Sequence, residues 1–171
     1  MAMNMVKRTI SVIGGSDVDS ESIRIAHEVG AEIARRGVTL VCGGMGGVME
    51  AACKGAKENG GTTVGILPTD YKADGNSYLD IAIPTGLGYS RNFIVAKAGD
   101  AVIAINGSAG TLSEMAIAWF SNKPVVSLIT SGGWAERLAG ERIDVRREDV
   151  VYPANTAEEA VQAVFTALDW D

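Results

Sequence analysis

Histidine, cysteine and proline are scarce in this chain of 171 residues: one His, two Cys and four Pro. Cys42 and Cys53 have no close Cys or His neighbours in the sequence, so no zinc-type spacing exists, no metal site is expected, and both thiols read as packing residues. His27 falls on the apolar stripe of a predicted helix with Ile23 and Gly30, away from every glycine-rich turn, which speaks against histidine catalysis. Basic residues are also in deficit. Fifteen Lys and Arg against 21 Asp and Glu leave a net charge of -6, which disfavours a partner bound through a nucleic-acid backbone. No apolar run approaches the roughly 20 residues of a membrane span, and the start, MAMNMVKRTISVIGG, holds too short an apolar stretch for a secretion signal. A cytoplasmic protein with no membrane partner is expected. Two nucleotide motifs are missing as well. GGSDVD at 14–19 lacks the G-x-G-x-x-G pattern, Gly44-x-Gly46 is followed by Met49 where a third glycine is due, and no G-x-x-x-x-G-K-[ST] occurs. These gaps exclude a dinucleotide fingerprint and an ATPase P-loop.

Glycine is abundant instead, with 21 residues, well above the usual share of about 7%. The glycines cluster where apolar strand-like runs give way to helical periodicity. The expected strands are Arg8 to Ile13, Val38 to Val41, Thr62 to Leu67, Asp80 to Ile83, Asp100 to Ile105, Pro124 to Leu128 and a short Val150 to Tyr152. Helical stripes follow at Ile23 to Ala34, Val48 to Ala56, Tyr89 to Ala98, Ala109 to Ser121 and, behind a Thr156 cap, through Leu168. Ser131 to Trp134 reads as a loop, and 135–148 shows no clear pattern. Strands apolar on both faces, alternating with helices, imply a three-layer α/β/α Rossmann-like sandwich with a mostly parallel sheet of six or seven strands, in one domain over 1–171. In such sheets ligands bind outside the carboxyl ends of the strands, where the turns at 14–15, 43–47, 86–88 and 107–110 all fall.

The most informative turn is NGSAGTLSE at 106–114. Gly107 and Gly110 permit close backbone approach, and the free N–H groups of a helix's first turn attract an anion. Two readings fit Glu114: a complement to the helix dipole within a Ser-x-x-Glu cap, or a carboxylate facing a ligand. Thr111 either bonds back within its helix or contributes its hydroxyl to the ligand. Gly43, Gly44, Gly46 and Gly47 exceed what a tight turn needs, which favours ligand approach. Gly14, Gly15 and Ser16 share the rim, with Ser16 and Asp17 alternatively capping the first helix. Trp119 and Phe120 continue a helix stripe as core or subunit-contact residues. An arginine in a helix's first turn opposes the dipole, so Arg91 needs a partner.

From Gly43 to Glu114 the chain resembles the LOG family of cytokinin-activating phosphoribohydrolases and their relatives among molybdenum-cofactor carriers. GGMGGVMEAACKGAKENGG resembles the family's second turn and helix, TVGILP its third strand, and SRN at 90–92 falls where the family carries M-x-x-R-K. GSAGTLSE stands for the core of P-G-G-x-G-T-x-x-E. Asn106 replaces the motif proline, Ser108 its second glycine and Asn92 its lysine, while Arg91 and Glu114 match the catalytic pair. The altered motif looks closer to the carrier branch. The resemblance implies hydrolysis of a nucleoside 5′-monophosphate to free base and ribose 5-phosphate. Glu114 would stabilise the oxocarbenium-like centre, Arg91 would fix the pair or contact substrate, and Gly107, Ser108, Gly110 and Thr111 would hold the phosphate. The alternative it leaves open is a carrier or nucleotide-sensing protein without turnover. No cofactor is required by either reading; the ligand would be a nucleoside monophosphate or molybdenum cofactor. Relatives imply a homodimer or larger homo-oligomer.

Overall fold

A computed structural model of the chain describes residues 5–171; the first four residues of the start read above for a secretion signal lie outside it. Seven strands form one sheet: β1 (Thr9–Gly14), β2 (Thr39–Cys42), β3 (Thr63–Leu67), β4 (Ile81–Pro84), β5 (Ala101–Ile105), β6 (Val125–Leu128) and β7 (Tyr152–Ala154). They lie in the order β4-β3-β2-β1-β5-β6-β7, every neighbouring pair parallel. The helices are α1 (Ser20–Arg35), α2 (Val48–Glu58), α3 (Asn92–Ala98), α4 (Ala109–Phe120), α5 (Gly133–Leu138) and α6 (Ala157–Ala167). This is a three-layer Rossmann-like sandwich. Among the described residues, no helix is long and apolar enough to cross a membrane.

Each sheet face has its own core. Ile10, Val12, Leu40, Ile103, Ile105 and Leu128 point toward α1, α2 and α6, while Ile13, Val41, Val102, Ala104 and Val125 point toward α3, α4 and α5. That split follows from the two-residue alternation along a strand, and burial of both faces explains why the central strands are apolar throughout. Beneath the first layer α1 and α2 meet backbone to backbone: a Cβ built on Gly30 would stand 1.9 Å from the Ala52 carbonyl oxygen, and one on Gly55 2.0 Å from that of His27.

Several local expectations shift. The first helix is capped by neither Ser16 nor Asp17: it begins at Ser20, where the Asp19 side chain accepts the Ser22 N–H at 2.8 Å. Ile23 is solvent-exposed and His27, half-exposed, pairs with Glu58 at 2.6 Å; the buried stripe runs through Ser22, Ile25, Ala26, Val29 and Ile33. On α4 the inner face is Thr111, Glu114, Met115, Ala118 and Trp119, with Phe120 outside. The last strand lies two residues beyond its expected position. The expected loop at 131–134 ends in α5, a short helix seated on the β5–α4 turn, its Trp134 and Ala135 N–H groups donating to the Gly107 and Asn106 carbonyls. Two consecutive positive-φ glycines, Gly132 at its N-cap and Gly133 as its first residue, hide the helical signal.

Candidate functional site

β1 and β5 lie side by side at the middle of the sheet, and the connections leaving them run to opposite faces. This is the switch point at which open parallel sheets bind ligands. A cavity of about 1000 Å³ opens there. It is floored by Val12, Ile13, Gly14 and Gly15, walled by Gly43 and Met49 on one side and by residues 108–111, Ser113 and Glu114 on the other, and rimmed by Ser16 and the stretch 89–93.

The N-terminus of α4 supplies the polar wall. Leu112 is the first residue whose N–H reaches an intrahelical acceptor, the Ser108 carbonyl, and Ser108 makes no side-chain cap. Among the described residues, the N–H groups of Ser108, Ala109, Gly110 and Thr111 therefore have no protein acceptor. Four convergent donors at the positive end of a helix dipole hold an oxyanion.

Asn106 sets the angle of this corner. It adopts a left-handed φ of 54°, and its side-chain oxygen accepts the Gly107 N–H at 2.6 Å. Its Nδ2 donates to Ser22 Oγ at 3.0 Å, and its backbone N–H donates to Ser131 Oγ at 2.7 Å. Gly107, at φ 101°, is covered by the Thr111 side chain, which a Cβ there would strike at 2.4 Å. Its amide is spent on Asn106, so it does not join the free donors.

Opposite stands Arg91, on a 3-10 turn (Gly88–Arg91) that runs into α3. The arginine is half-buried. It donates from Nη1 to the Asn92 side-chain oxygen and from Nη2 to the Gly43 carbonyl at 3.4 Å, and its buried Nε has no partner. Asn92, itself buried, donates from Nδ2 to Ser113 Oγ at 3.2 Å, and Ser113 donates to the Gly110 carbonyl at 2.6 Å. A chain of hydrogen bonds thus joins the guanidinium to the first turn of α4.

Glu114 lies one helical turn beyond Thr111 on the same buried face, and is 7% exposed. Among the described residues, no hydrogen bond or ion pair reaches its carboxyl. Burial pushes that carboxyl up to about 8, against the opposing pull of the Arg91 guanidinium. A dipole complement would sit in solvent at the helix end; Glu114 is instead a buried acid facing the cavity.

Of the residues singled out from the sequence, Gly14, Gly15, Ser16, Gly43, Arg91, Asn92, Ser108, Gly110, Thr111 and Glu114 line the cavity together. Gly44, Gly46, Gly47 and Gly107 do not line it. Gly44 and Gly47 serve the turn, at φ 76° and 64°: a Cβ on Gly44 would meet Leu67 at 2.3 Å, and one on Gly47 the Gly15 carbonyl oxygen at 2.5 Å. A Cβ on Gly46 would meet Glu50 Oε2 alone, at an ordinary contact distance of 3.9 Å. Sequence reasoning missed Met49, Tyr89, Phe93 and Ile117, the apolar side of the cavity, and Ser113. Ser113 follows Thr111 by two residues, and only the tertiary contact with Asn92 marks it.

A relative from Archaeoglobus fulgidus, an uncharacterized protein, is 49% identical over 119 residues, covering 70% of this chain and 78% of its own. The cytokinin riboside 5′-monophosphate phosphoribohydrolase of Mycobacterium tuberculosis is 38% identical over 121 residues, or 65% of this chain; the match spans 64% of the enzyme, less than two thirds of its length. Among solved structures, the molybdenum cofactor carrier protein of Chlamydomonas reinhardtii superposes with a TM-score of 0.83 at 36% identity, covering 95% of this chain and 99% of the carrier. A family model matches residues 7–161, nearly the whole chain with its sheet and cavity, and by that match the protein belongs to the SLOG cluster4 family.

Proposed function

We propose that the cavity binds a nucleoside 5′-monophosphate and hydrolyses its N-glycosidic bond, releasing free base and ribose 5-phosphate. The observation that carries this reading is the pairing of four unsatisfied amides at the start of α4 with a buried, unpartnered carboxyl one turn further along the same helix. The amides and the Thr111 hydroxyl take the phosphate. The sugar then lies along α4 toward Glu114, and the base rests on the apolar side formed by Met49, Phe93 and Ile117. As the bond from C1′ to the base nitrogen lengthens, positive charge develops on the ribose, and the ionised Glu114 stabilises it while orienting the attacking water. Arg91, held by Asn92 and Gly43, contacts the anionic substrate from the opposite wall. Since the ionised carboxylate is the working form, kcat/KM rises with pH through about 8.

The test is incubation with AMP and related monophosphates, reading free base and ribose 5-phosphate. Release by the wild type and its loss in Glu114→Ala support hydrolysis. A second reading rests on a specific contact: the Arg91 guanidinium is engaged by Asn92 and Gly43, not by Glu114, as suits a fixed anion clamp. On that reading the same cradle carries a phosphate-bearing ligand, such as the pterin phosphate of molybdenum cofactor, without turnover. Saturable binding with no released base selects it.

A further inference from the structure

The cavity leaves unused one reactive pair in the molecule. Cys42 ends β2 and Cys53 lies one and a half turns into α2; both are fully buried, and their sulfurs are 3.5 Å apart. The Gly44 N–H also points at Cys42 Sγ, at 3.3 Å. The Cys42 sulfur thus accepts a backbone amide and shares a contact with the Cys53 sulfur in which either thiol can donate, on the strand end that leads directly into Gly43, the acceptor for Arg91. Hydrogen bonds to a sulfur favour its thiolate. We propose that Cys42 and Cys53 form a peroxide-reactive dithiol site, with Cys42 the attacking sulfur and Cys53 the resolving one, which takes a single intramolecular disulfide.

The reaction balances with a hydroperoxide as oxidant. The Cys42 thiolate attacks one peroxide oxygen; the S–O bond forms, the O–O bond breaks, and the departing oxygen takes a proton to leave as water or an alcohol. Cys53 then attacks the sulfenic sulfur; the S–S bond forms, the S–O bond breaks, and the oxygen leaves as a second water carrying the Cys53 proton. Both thiols are buried, so the reaction requires the glycine-rich turn at 43–47 to open far enough for hydrogen peroxide, which is little larger than water. Closing the sulfurs from 3.5 Å to about 2 Å replaces the thiolate acceptor of Gly44 with a disulfide sulfur. The direction of the shift agrees: the Cys53 contact, with Gly44 and Arg91 in support, holds the Cys42 thiol below its ordinary range.

The experiment treats the full chain with hydrogen peroxide, quenches, and counts thiols by mass and by a thiol reagent in denaturant. The expected result is a monomeric chain lighter by two hydrogens, with no titratable thiol, restored by dithiothreitol. In Cys53→Ser, a dimedone adduct maps to Cys42; in Cys42→Ser, peroxide leaves Cys53 unlabelled. Amide exchange at Gly44 accelerates in the oxidised wild type. Two intact thiols after treatment, disulfides only between chains, or dimedone on Cys53 in place of Cys42 each overturn the proposal. None of these readouts depends on nucleotide binding, so they stand apart from the fate of the hydrolase reading.

Discussion

Replacing Glu114 with glutamine keeps the shape of the side chain and removes its titration. In the folded protein the carboxyl stands at about 8, raised by burial, against an ordinary value of 4.5. The folded state therefore holds the proton more tightly than the unfolded chain. The contribution to stability is fully present below pH 4.5, declines as pH rises, and is lost once pH passes the folded value. Applying the linkage relation to those two values gives a decline of about 4 kcal/mol between pH 5 and pH 9. Glu114→Gln lacks this slope. Urea unfolding of both proteins at pH 5, 7 and 9 measures it, since the other titrating groups are common to both and cancel in the difference. The glutamine variant should gain on the wild type by about 4 kcal/mol over that interval, whatever fixed offset its own amide introduces. If the two stability profiles run parallel within about 0.5 kcal/mol, Glu114 is not a desolvated acid, and the account of its burial fails together with the predicted rise of kcat/KM.

The remaining predictions follow from contacts in the same region and beneath it. Gly43→Ala would place a methyl 2.7 Å from Arg91 Nη2 and 2.8 Å from Met49 Sδ; AMP affinity, read by calorimetry, should fall tenfold or more with the melting temperature little changed. Asn106→Ala removes two side-chain hydrogen bonds and places alanine at a left-handed φ, for a loss of about 2–3 kcal/mol in urea unfolding. Asn106→Pro, the residue of the motif it resembles, should be worse still, since proline fixes φ near −65° and deletes the N–H that Ser131 accepts. Gly30→Ala forces α1 and α2 apart at the Ala52 carbonyl and should cost about 1–3 kcal/mol, leaving ligand affinity in the surviving folded protein intact.

The sheet was legible because its central strands are buried on both faces and written in Val, Ile and Ala; the glycines that follow them placed the turns on one rim. Legibility failed where packing outweighed local pattern. Ile23 lies two turns before Gly30 on the same side of α1, but it falls at the rim of the α1–α2 contact, in a surface groove beside Glu50 and Lys54, and stays exposed. Six residues of α5 are too few to show a period, and their first turn depends on the Asn106 and Gly107 carbonyls, over twenty positions away. In the site itself, glycine content alone did not separate Gly43, which lines the cavity, from Gly44 and Gly47, whose missing side chains make room for Leu67 and the Gly15 carbonyl. Arg91, Asn92 and Glu114 were singled out in the sequence, whereas Ser113 enters the site through a tertiary hydrogen bond from Asn92 that spacing does not encode.

The strand order has a consequence for how the chain is made. β1 is complete by residue 14, yet the partner that covers its second edge, β5, pairs Ala101 with Ile10, so translation passes some ninety codons during which one side of this central strand stays open. The nascent half-sheet of β1 to β4 is thus the aggregation-prone species, and late arrival of β5 both closes that edge and creates the anion cradle. Acquisition of ligand affinity during synthesis should coincide with emergence of β5 and α4 from the ribosome, in a single step and not gradually.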